Sequence, residues 1–118
     1  MQDFKQLRLW QLAREFVSDI YKATETFPKH EFHSMVNQLR RASYSIPSNI
    51  AEGSGKGGKE FARYLSIVSG SIKEVECFLI LAKDLNYLDN NKFEQLIEKI
   101  DIIGKMNNKL MSNINRGD

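Results

Sequence analysis

This chain of 118 residues has only one cysteine, Cys77, which excludes an internal disulfide. No stretch approaches the roughly 18 uninterrupted apolar residues that a membrane-spanning helix needs. The first ten residues, MQDFKQLRLW, lack the apolar core of a signal peptide, so we expect a cytoplasmic protein. The length suits one domain, residues 1 to 118, and is too short for a catalytic domain joined to a regulatory one.

An excess of charge of one sign is also missing. Lys and Arg total 17 against 15 Asp and Glu, which gives a formal net charge of +2. Both halves of the chain share this balance, which speaks against a domain-wide basic surface for nucleic acid. A local basic patch, or one that oligomerisation builds up, stays compatible with the sequence.

The apolar spacing is helical almost everywhere, and no alternation of apolar and polar residues indicates a strand. Steps of four and three residues form a heptad seam of Phe61, Leu65, Val68, Ile72, Val75, Leu79 and Ala82. A second seam lies beside it and comprises Tyr64, Ile67, Ser71, Glu74, Phe78, Leu81 and Leu85. Two adjacent seams predict a helix that touches two neighbouring helices, as in a bundle.

Three further seams predict three further helices. The first comprises Trp10, Ala13, Val17, Ile20, Thr24 and Phe27. The next comprises Phe32, Val36, Leu39, Ser43, Ile46 and Ile50. The last comprises Phe93, Leu96, Ile100, Ile103, Asn107, Leu110 and Ile114. Some apolar residues are left over as candidates for subunit or partner contacts, namely Leu9, Leu12, Phe16 and Met111.

The predicted helices cover residues 5 to 26, 31 to 52, 59 to 86 and 90 to 114. Asn86, Asp89 and Asn90 supply terminating and capping residues between the last two. Short connections favour antiparallel neighbours, so the predicted fold class is all-α, an up-and-down antiparallel four-helix bundle. Pro47 stands inside the second helix and predicts a kink or a short break near residues 43 to 46.

The stretch AEGSGKGGKE, residues 51 to 60, matches the letters of two nucleotide-binding motifs. Gly53, Gly55 and Gly58 fit G-x-G-x-x-G, and residues 53 to 59 fit a Walker A motif, with Glu60 where Ser or Thr is required. Both motifs need a strand before the loop, whereas the residues here predict a helix, and Glu60 would repel phosphate. We therefore interpret Gly53 as a left-handed helix stop before a flexible linker, and we expect no cofactor.

Metal or nucleophile chemistry finds little support. His30 and His33 could share a helical face, but no E-x-x-H pair accompanies them, so surface histidines are expected rather than a metal site. No Arg precedes a His with the Arg-x(4–6)-His spacing of bundle-type ribonucleases. Cys77 has no evident activating partner, and we interpret it as a small apolar filler. We expect no catalytic residues and no enzymatic activity.

Five polar residues within apolar stretches are candidates for an internal polar network: Arg40, Arg41, Asn49, Glu52 and Glu74. A charge buried alone is costly, so if these residues face inward an Arg should pair with Glu52 or Glu74. Asn49 should bond to backbone near Pro47. A structural role, in which the network fixes the helix register, is favoured over a catalytic one.

The candidates for nucleic-acid contact are Lys56, Lys59 and Arg63 beside the glycine loop, and Lys105 and Lys109 near the C-terminus. Lys105 and Lys109 are four residues apart and share a helical face, which suits contact with phosphates. Lysines near a helix C-terminus are also ordinary partners of the helix dipole. A ring of identical subunits would multiply this basic signal.

The run QLRRASYSIPSNIAEGSGKGGKEFARYLSIVSGSIKEVE, residues 38 to 76, resembles the proteins encoded in intervening sequences of bacterial 23S ribosomal RNA genes. The resemblance rests on QLRRA, S-I-P-x-N-I-A-E-G, E-F-x-x-x-L and G-S-x-x-E. It extends through Leu9, Trp10, Tyr21, the Phe27-Pro28 pair and LAKDLNYL, and so covers nearly the whole chain. The linker GSGKGG is richer in glycine than the family pattern.

The resemblance implies a four-helix bundle that assembles into a ring-shaped homopentamer, without enzymatic activity. It also implies a relation to the accessory variability proteins of diversity-generating retroelements, which bind nucleic acid and a reverse transcriptase. The leading hypothesis is therefore an oligomer that binds RNA or DNA through basic residues repeated around the ring. The alternative is a protein-interaction scaffold, for example for a reverse transcriptase, that does not bind nucleic acid.

Overall fold

Four helices make up most of the chain in the computed structural model, which describes residues 3–117. They are α1 (Arg8–Thr24), α2 (Met35–Ser54), α3 (Gly58–Asp84) and α4 (Asn90–Asn115). Each predicted helix end lies within four residues of the observed one. The described part of the chain contains no strand, which confirms the predicted all-α class.

Each helix packs against two others, in the cyclic order α1, α2, α3, α4 and back to α1. Ser45 Oγ donates to Ser71 Oγ over 2.6 Å, and Tyr64 Oη donates to Glu52 Oε2 over 3.0 Å. A move of seven residues forward in α2 thus corresponds to seven residues backward in α3, so these two helices are antiparallel. The short connections between the other consecutive helices reverse the chain in the same way, as an up-and-down bundle requires.

The connection between α3 and α4 carries the predicted helix-terminus chemistry. Asn86 adopts a left-handed φ of 63° just after α3. Asp89 Oδ1 accepts a hydrogen bond from the backbone N–H of Lys92 over 2.7 Å and so caps the N-terminus of α4. These two residues end one helix and begin the next within a few positions.

Gly53 was expected to stop the second helix in a left-handed conformation, and this prediction is wrong. α2 continues to Ser54, and the positive φ angles fall on Gly57 and Gly58, at 74° and 54°. Gly53 is buried instead, and a Cβ built there would lie 2.6 Å from Tyr64 Cβ. Glycine at this position therefore permits a close approach of α2 to α3.

Pro47 does not break α2, which is helical from Met35 to Ser54. Ile46 and Ile50, on either side of the proline, are fully buried. Their packing holds both halves of the helix on the core, which offsets the loss of the proline's backbone donor. The expected short break is absent, and the kink stays a prediction.

The first seam of α3 is buried along its whole length, as the heptad spacing predicts. The second seam was expected to contact another helix of the bundle, and it does so in part, because Tyr64 and Ser71 form side-chain hydrogen bonds with α2. Ile67, Leu81 and Leu85 remain 44%, 41% and 50% exposed, and Glu74 is exposed beside them. Four of the seven members of the second seam therefore lie on the surface.

The predicted seam of α1 is confirmed at Ala13, Ile20 and Thr24, but Leu9 and Phe16 are buried in place of Trp10 and Val17. Leu9 and Phe16 belong to the core, whereas Trp10 is half-buried and packs edge-on against Phe4, with ring centroids 5.0 Å apart. Leu9 and Phe16 are thus unavailable as partner contacts, but Leu12 keeps part of its surface exposed. Among the described residues, no helix is both long enough and apolar enough to cross a membrane.

Candidate nucleic-acid interface

The five basic residues predicted to contact nucleic acid converge on one end of the bundle. Asn107 Nδ2 donates to the carbonyl of Leu65 over 2.9 Å, which places this part of α4 beside the first turns of α3. Lys109 and Arg63 therefore lie at similar heights along the bundle axis. The whole set spans about 15 Å along the axis, given a helical rise of about 1.5 Å per residue. We call this set the basic end; it comprises Lys56, Lys59, Arg63, Lys105 and Lys109.

All five side chains of the basic end are exposed. Arg63 Nη2 lies 3.1 Å from Glu60 Oε2, and Lys105 Nζ lies 3.1 Å from Asp101 Oδ2, so an acid partly neutralises each. Hydrogen bonds from Arg63, with its charge, hold the pKa of the Glu60 carboxyl below its usual range. The three remaining members form no ion pair within residues 3–117; they are Lys56, Lys59 and Lys109.

Tyr64 connects α2 to α3 at the border of the basic end. Its hydroxyl donates to Glu52 Oε2 over 3.0 Å, and this bond raises the pKa of the Tyr64 phenol. The Arg63 guanidinium lies 5.3 Å from the centroid of the Tyr64 ring. The Tyr64 ring thus attracts the Arg63 guanidinium, and the Tyr64 hydroxyl fixes the position of the Glu52 carboxylate.

Of the residues predicted to form an internal polar network, Arg41 and Glu74 line one surface groove, and no ion pair within residues 3–117 joins any two of the five. Arg41, Glu52 and Glu74 are exposed, so they bear no burial cost that an internal partner would have to offset. Arg40 is half-buried, but it pairs with Thr24 of α1 rather than with an acid. Asn49 Nδ2 donates to the carbonyl of Ser45 over 2.8 Å, close to Pro47 in the chain.

The most deeply buried polar amide belongs to Asn107, which the sequence marked only as a polar residue in a seam. It is fully buried, and its Nδ2 donates to Leu65 O and, over 3.0 Å, to Ser69 Oγ. Its Oδ1 has no hydrogen-bond partner among the described residues. The sequence indicated a buried amide only through the position of Asn107 in the apolar seam of α4. The partners of Asn107 could not be predicted, because they depend on the register between α3 and α4.

Cys77 was interpreted as an apolar filler, but it is exposed. It lies between Val75 and Leu79 in the sequence, and the helical rotation turns it away from the core that these two residues enter. Within the described chain, no group of three or more His, Cys, Asp and Glu side chains is arranged to hold a metal ion. His30 and His33 are both exposed. The letters of the glycine motif follow a helix, α2, rather than a strand.

Comparison with known proteins identifies relatives of this bundle. A family model described as 23S rRNA-intervening sequence protein matches residues 5–109. A crystal structure at 1.70 Å of a protein with unknown function from the S23 ribosomal protein family, from Bacteroides thetaiotaomicron VPI-5482, superimposes with a TM-score of 0.78. The match covers 87% of this chain and 97% of that one at 22% sequence identity, so it shows a common fold. No functionally curated protein matches the chain in sequence.

Proposed function

Since the chain belongs to the 23S rRNA-intervening sequence protein family, we propose that it is a non-enzymatic cytoplasmic protein that self-associates and binds RNA or DNA through its basic end. The observation that supports this most directly is the convergence of two basic segments, distant in sequence, on one end of the bundle. The up-and-down topology brings the start of α3 beside the end of α4.

The chemistry of the basic end suits contact with the phosphate backbone. Lysine carries a compact charge on a flexible stem, which attracts phosphate without reading a base. The roughly 15 Å span of the site matches about four or five phosphates of one strand, at about 3.4 Å per phosphate along a duplex. We therefore propose binding that is independent of sequence and strongly dependent on salt.

The basic end of a single copy offers three basic side chains without an ion pair among residues 3–117, Lys56, Lys59 and Lys109, and so supports weak binding. Each phosphate contact contributes about one unit to the slope of log affinity against log salt. Several copies that present the same end to one nucleic acid would add their contacts. The homopentamer implied by the family resemblance, with its relation to retroelement accessory proteins, is accordingly part of the proposal.

The test is a salt titration of binding to a structured RNA, followed by fluorescence anisotropy. Replacement of Lys56, Lys59 and Lys109 by glutamine should lower the affinity at low salt by about tenfold or more and flatten the salt slope. A matched control replaces Lys22, Lys29 and Lys92, three exposed lysines at the opposite end of the bundle. Absence of binding by the wild type at low salt, or an equal loss in both triple variants, would overturn the proposal.

A second candidate function is a scaffold for another protein, such as a reverse transcriptase. The exposed part of the second seam favours it, because Ile67, Leu81 and Leu85 offer apolar contact area on one face of α3. Under this alternative, Ile67→Asp should abolish binding of the purified partner, and the triple lysine variant should retain it. The reverse result would favour the nucleic-acid function.

A further inference from the structure

Four members of the second seam of α3 are exposed, Ile67, Glu74, Leu81 and Leu85, and no helix of the described residues covers them. The seam borders α2, where the Ser45 to Ser71 hydrogen bond forms the floor of a shallow groove. Arg41 and Glu74 stand on the two walls of this groove, and neither forms an ion pair within residues 3–117. We call this surface the α2–α3 face.

The opposite side of the bundle carries a second surface of mixed character, the α1–α4 face. The cyclic helix order places it directly across the core from the α2–α3 face. Ile102 is 45% exposed there, and Leu12 and Met106 are half-buried. Asp19 and Lys99 form an ion pair of 2.8 Å between the two helices, with both side chains partly exposed.

The charges of the two faces lie at one height along the bundle axis. The Ser45 to Ser71 bond aligns α2 with α3, so Arg41, four residues before Ser45, is level with Val75 and beside Glu74. Asn107 is level with residues 65 to 69 of α3. Lys99 lies eight residues before Asn107 in the antiparallel helix α4, so it is level with the part of α3 that contains Glu74. Arg41, Glu74, Asp19 and Lys99 therefore encircle the bundle at a single level.

From this arrangement we infer that the α2–α3 face of one copy of the chain packs against the α1–α4 face of the next. The inference rests on the self-association included in the proposed function and names the surfaces that perform it. Copies placed side by side in the same orientation bring α2 against the neighbour's α1 and α3 against its α4. Arg41 then faces Asp19 of the next copy, and Glu74 faces Lys99, so each of these four charges meets an opposite one.

The apolar residues of the two faces also correspond. Ile67 is level with Met106, and Gly70 is within two residues of the height of Ile102. Gly70 has open space around it, which leaves room for a neighbouring isoleucine. The described body measures 45 × 23 × 20 Å, so one long face can supply the roughly 800 Å² per partner that a stable interface buries.

A symmetrical pairing of two α2–α3 faces fits less well. It would also match Arg41 with Glu74, but it would bring α3 against the neighbour's α2 and place Ile67 near Ser48, a polar position. Such a pairing stops at two copies. Pairing of the α2–α3 face with the α1–α4 face instead leaves one free face at each end, so copies continue to add. The row ends only if the rotation between successive copies closes a ring.

The same packing would complete the basic end. Arg63 lies on the α2–α3 side and Lys109 on the outer side of α4, so one copy holds them apart. In the row of copies, Lys109 of the next copy approaches Arg63 at a similar height. Each junction then contributes cations from two chains to one phosphate-binding surface.

Charge reversal tests the proposed contact without disturbing the core. Glu74→Lys should lower the association constant, measured by light scattering during gel filtration, by about tenfold or more, because it would place a lysine opposite Lys99. Adding Lys99→Glu in the same chain should restore association. The matched control is Glu94→Lys, an exposed position seven residues before Asp101 and so on the α3–α4 side. Circular dichroism melts establish that each variant is folded.

Cross-linking provides a second test that does not depend on charge. In a Cys77→Ser background, Ile67→Cys combined with Met106→Cys should give an oxidised ladder of dimers, trimers and larger species, because the two positions lie on opposite faces of one copy. Either substitution alone should give no ladder. A ladder that ends at one size indicates a closed ring, a continuing ladder indicates an open row, and both support the contact.

Three results would overturn the inference. A species limited to two copies in solution, without a cross-link between positions 67 and 106, would indicate symmetrical pairing. No cross-link and no effect of Glu74→Lys, in a protein that still oligomerises, would refute these faces and leave the proposed self-association intact. A strict monomer at all concentrations would refute both, and the RNA titration would then decide separately whether the basic end binds nucleic acid.

Discussion

Arg40 of α2 binds the last turn of α1 through Thr24, whose Oγ1 accepts a hydrogen bond from Arg40 Nε over 2.9 Å. Arg40 Nη2 also donates to the carbonyl of Tyr21 over 3.3 Å, and its guanidinium lies 4.4 Å from the Tyr21 ring centroid. Thr24 is fully buried and donates in turn to Ile20 O over 2.8 Å. One side chain of α2 thereby holds the C-terminal end of α1.

Replacement of Arg40 by lysine should destabilise the fold by about 1 kcal/mol, because an ammonium group cannot make the two donations and stack on the ring together. Urea denaturation measures the loss. Arg41→Lys is the control, since this neighbour is exposed and should change stability by less than about 0.5 kcal/mol. Equal effects of the two changes would show that the geometry at Arg40 is unimportant.

Asn107→Asp conserves the shape of the side chain, but it should lower the free energy of unfolding by about 3 kcal/mol or more at neutral pH. It replaces the donor of two hydrogen bonds by an acceptor and buries a charge without a cation. Burial would raise the pKa of the new carboxyl in the folded state, so the loss should shrink as the pH falls toward about 4. Denaturation at several pH values measures this, and the adjacent exposed position provides the control, Asn108→Asp.

Gly53→Ala should destabilise the bundle by about 1 to 3 kcal/mol, although alanine is the better helix former. The added methyl group would meet the Tyr64 Cβ at 2.6 Å and force α2 away from α3. Gly104→Ala is the matched helical control, because its nearest contact would be an ordinary 3.7 Å to Ile72. A thermal melt should show a lower Tm for the first variant only, and an unchanged Tm at Gly53 would contradict the close approach.

Glu31 should make the stability of the fold depend on acid. Hydrogen bonds from Ser34 and Tyr87 hold the pKa of its carboxyl below the ordinary value of about 4.5. A carboxyl with a lowered folded pKa stabilises the protein above its unfolded pKa, and the effect is lost as the pH falls through the folded pKa. Wild type should therefore lose more stability than Glu31→Gln as the pH falls below about 4.5 and through the lowered folded pKa.

Tyr87→Phe separates the two contributions at Glu31. It removes the 2.8 Å bond from the tyrosine hydroxyl and keeps the 2.6 Å bond from Ser34. Its pH dependence should fall between those of wild type and Glu31→Gln. Parallel acid-denaturation curves for all three proteins would show that this cluster does not contribute.

The heptad spacing of α3 predicted seven of its eight buried residues, but which members of its second seam are covered could not be read from spacing alone. Periodicity shows that two neighbouring stripes are apolar, and only the positions of the other helices decide which stripe they cover. The same ambiguity explains α1, where Leu9 and Phe16 lie one helical position from Trp10 and Val17. Both sets are apolar, and packing against α2 and α4 selects the first.

The basic end was predictable in its residues and, from the up-and-down topology, in its location. The polar contacts were less so, because a pair such as Arg40 and Thr24 depends on the relative height and rotation of two helices. Gly53 illustrates a further limit. A glycine near a helix end serves equally as a left-handed stop or as a point of close approach, and the sequence alone does not separate these uses.

The convergence of the basic residues on one end also gives the molecule a direction. The opposite end, where Glu31 and Tyr87 join two connections, carries a different chemistry. If copies stand side by side in the same orientation, every basic end points the same way, and the assembly has two unlike sides. A nucleic acid would then approach from one side only, and the other side would stay accessible to a different partner.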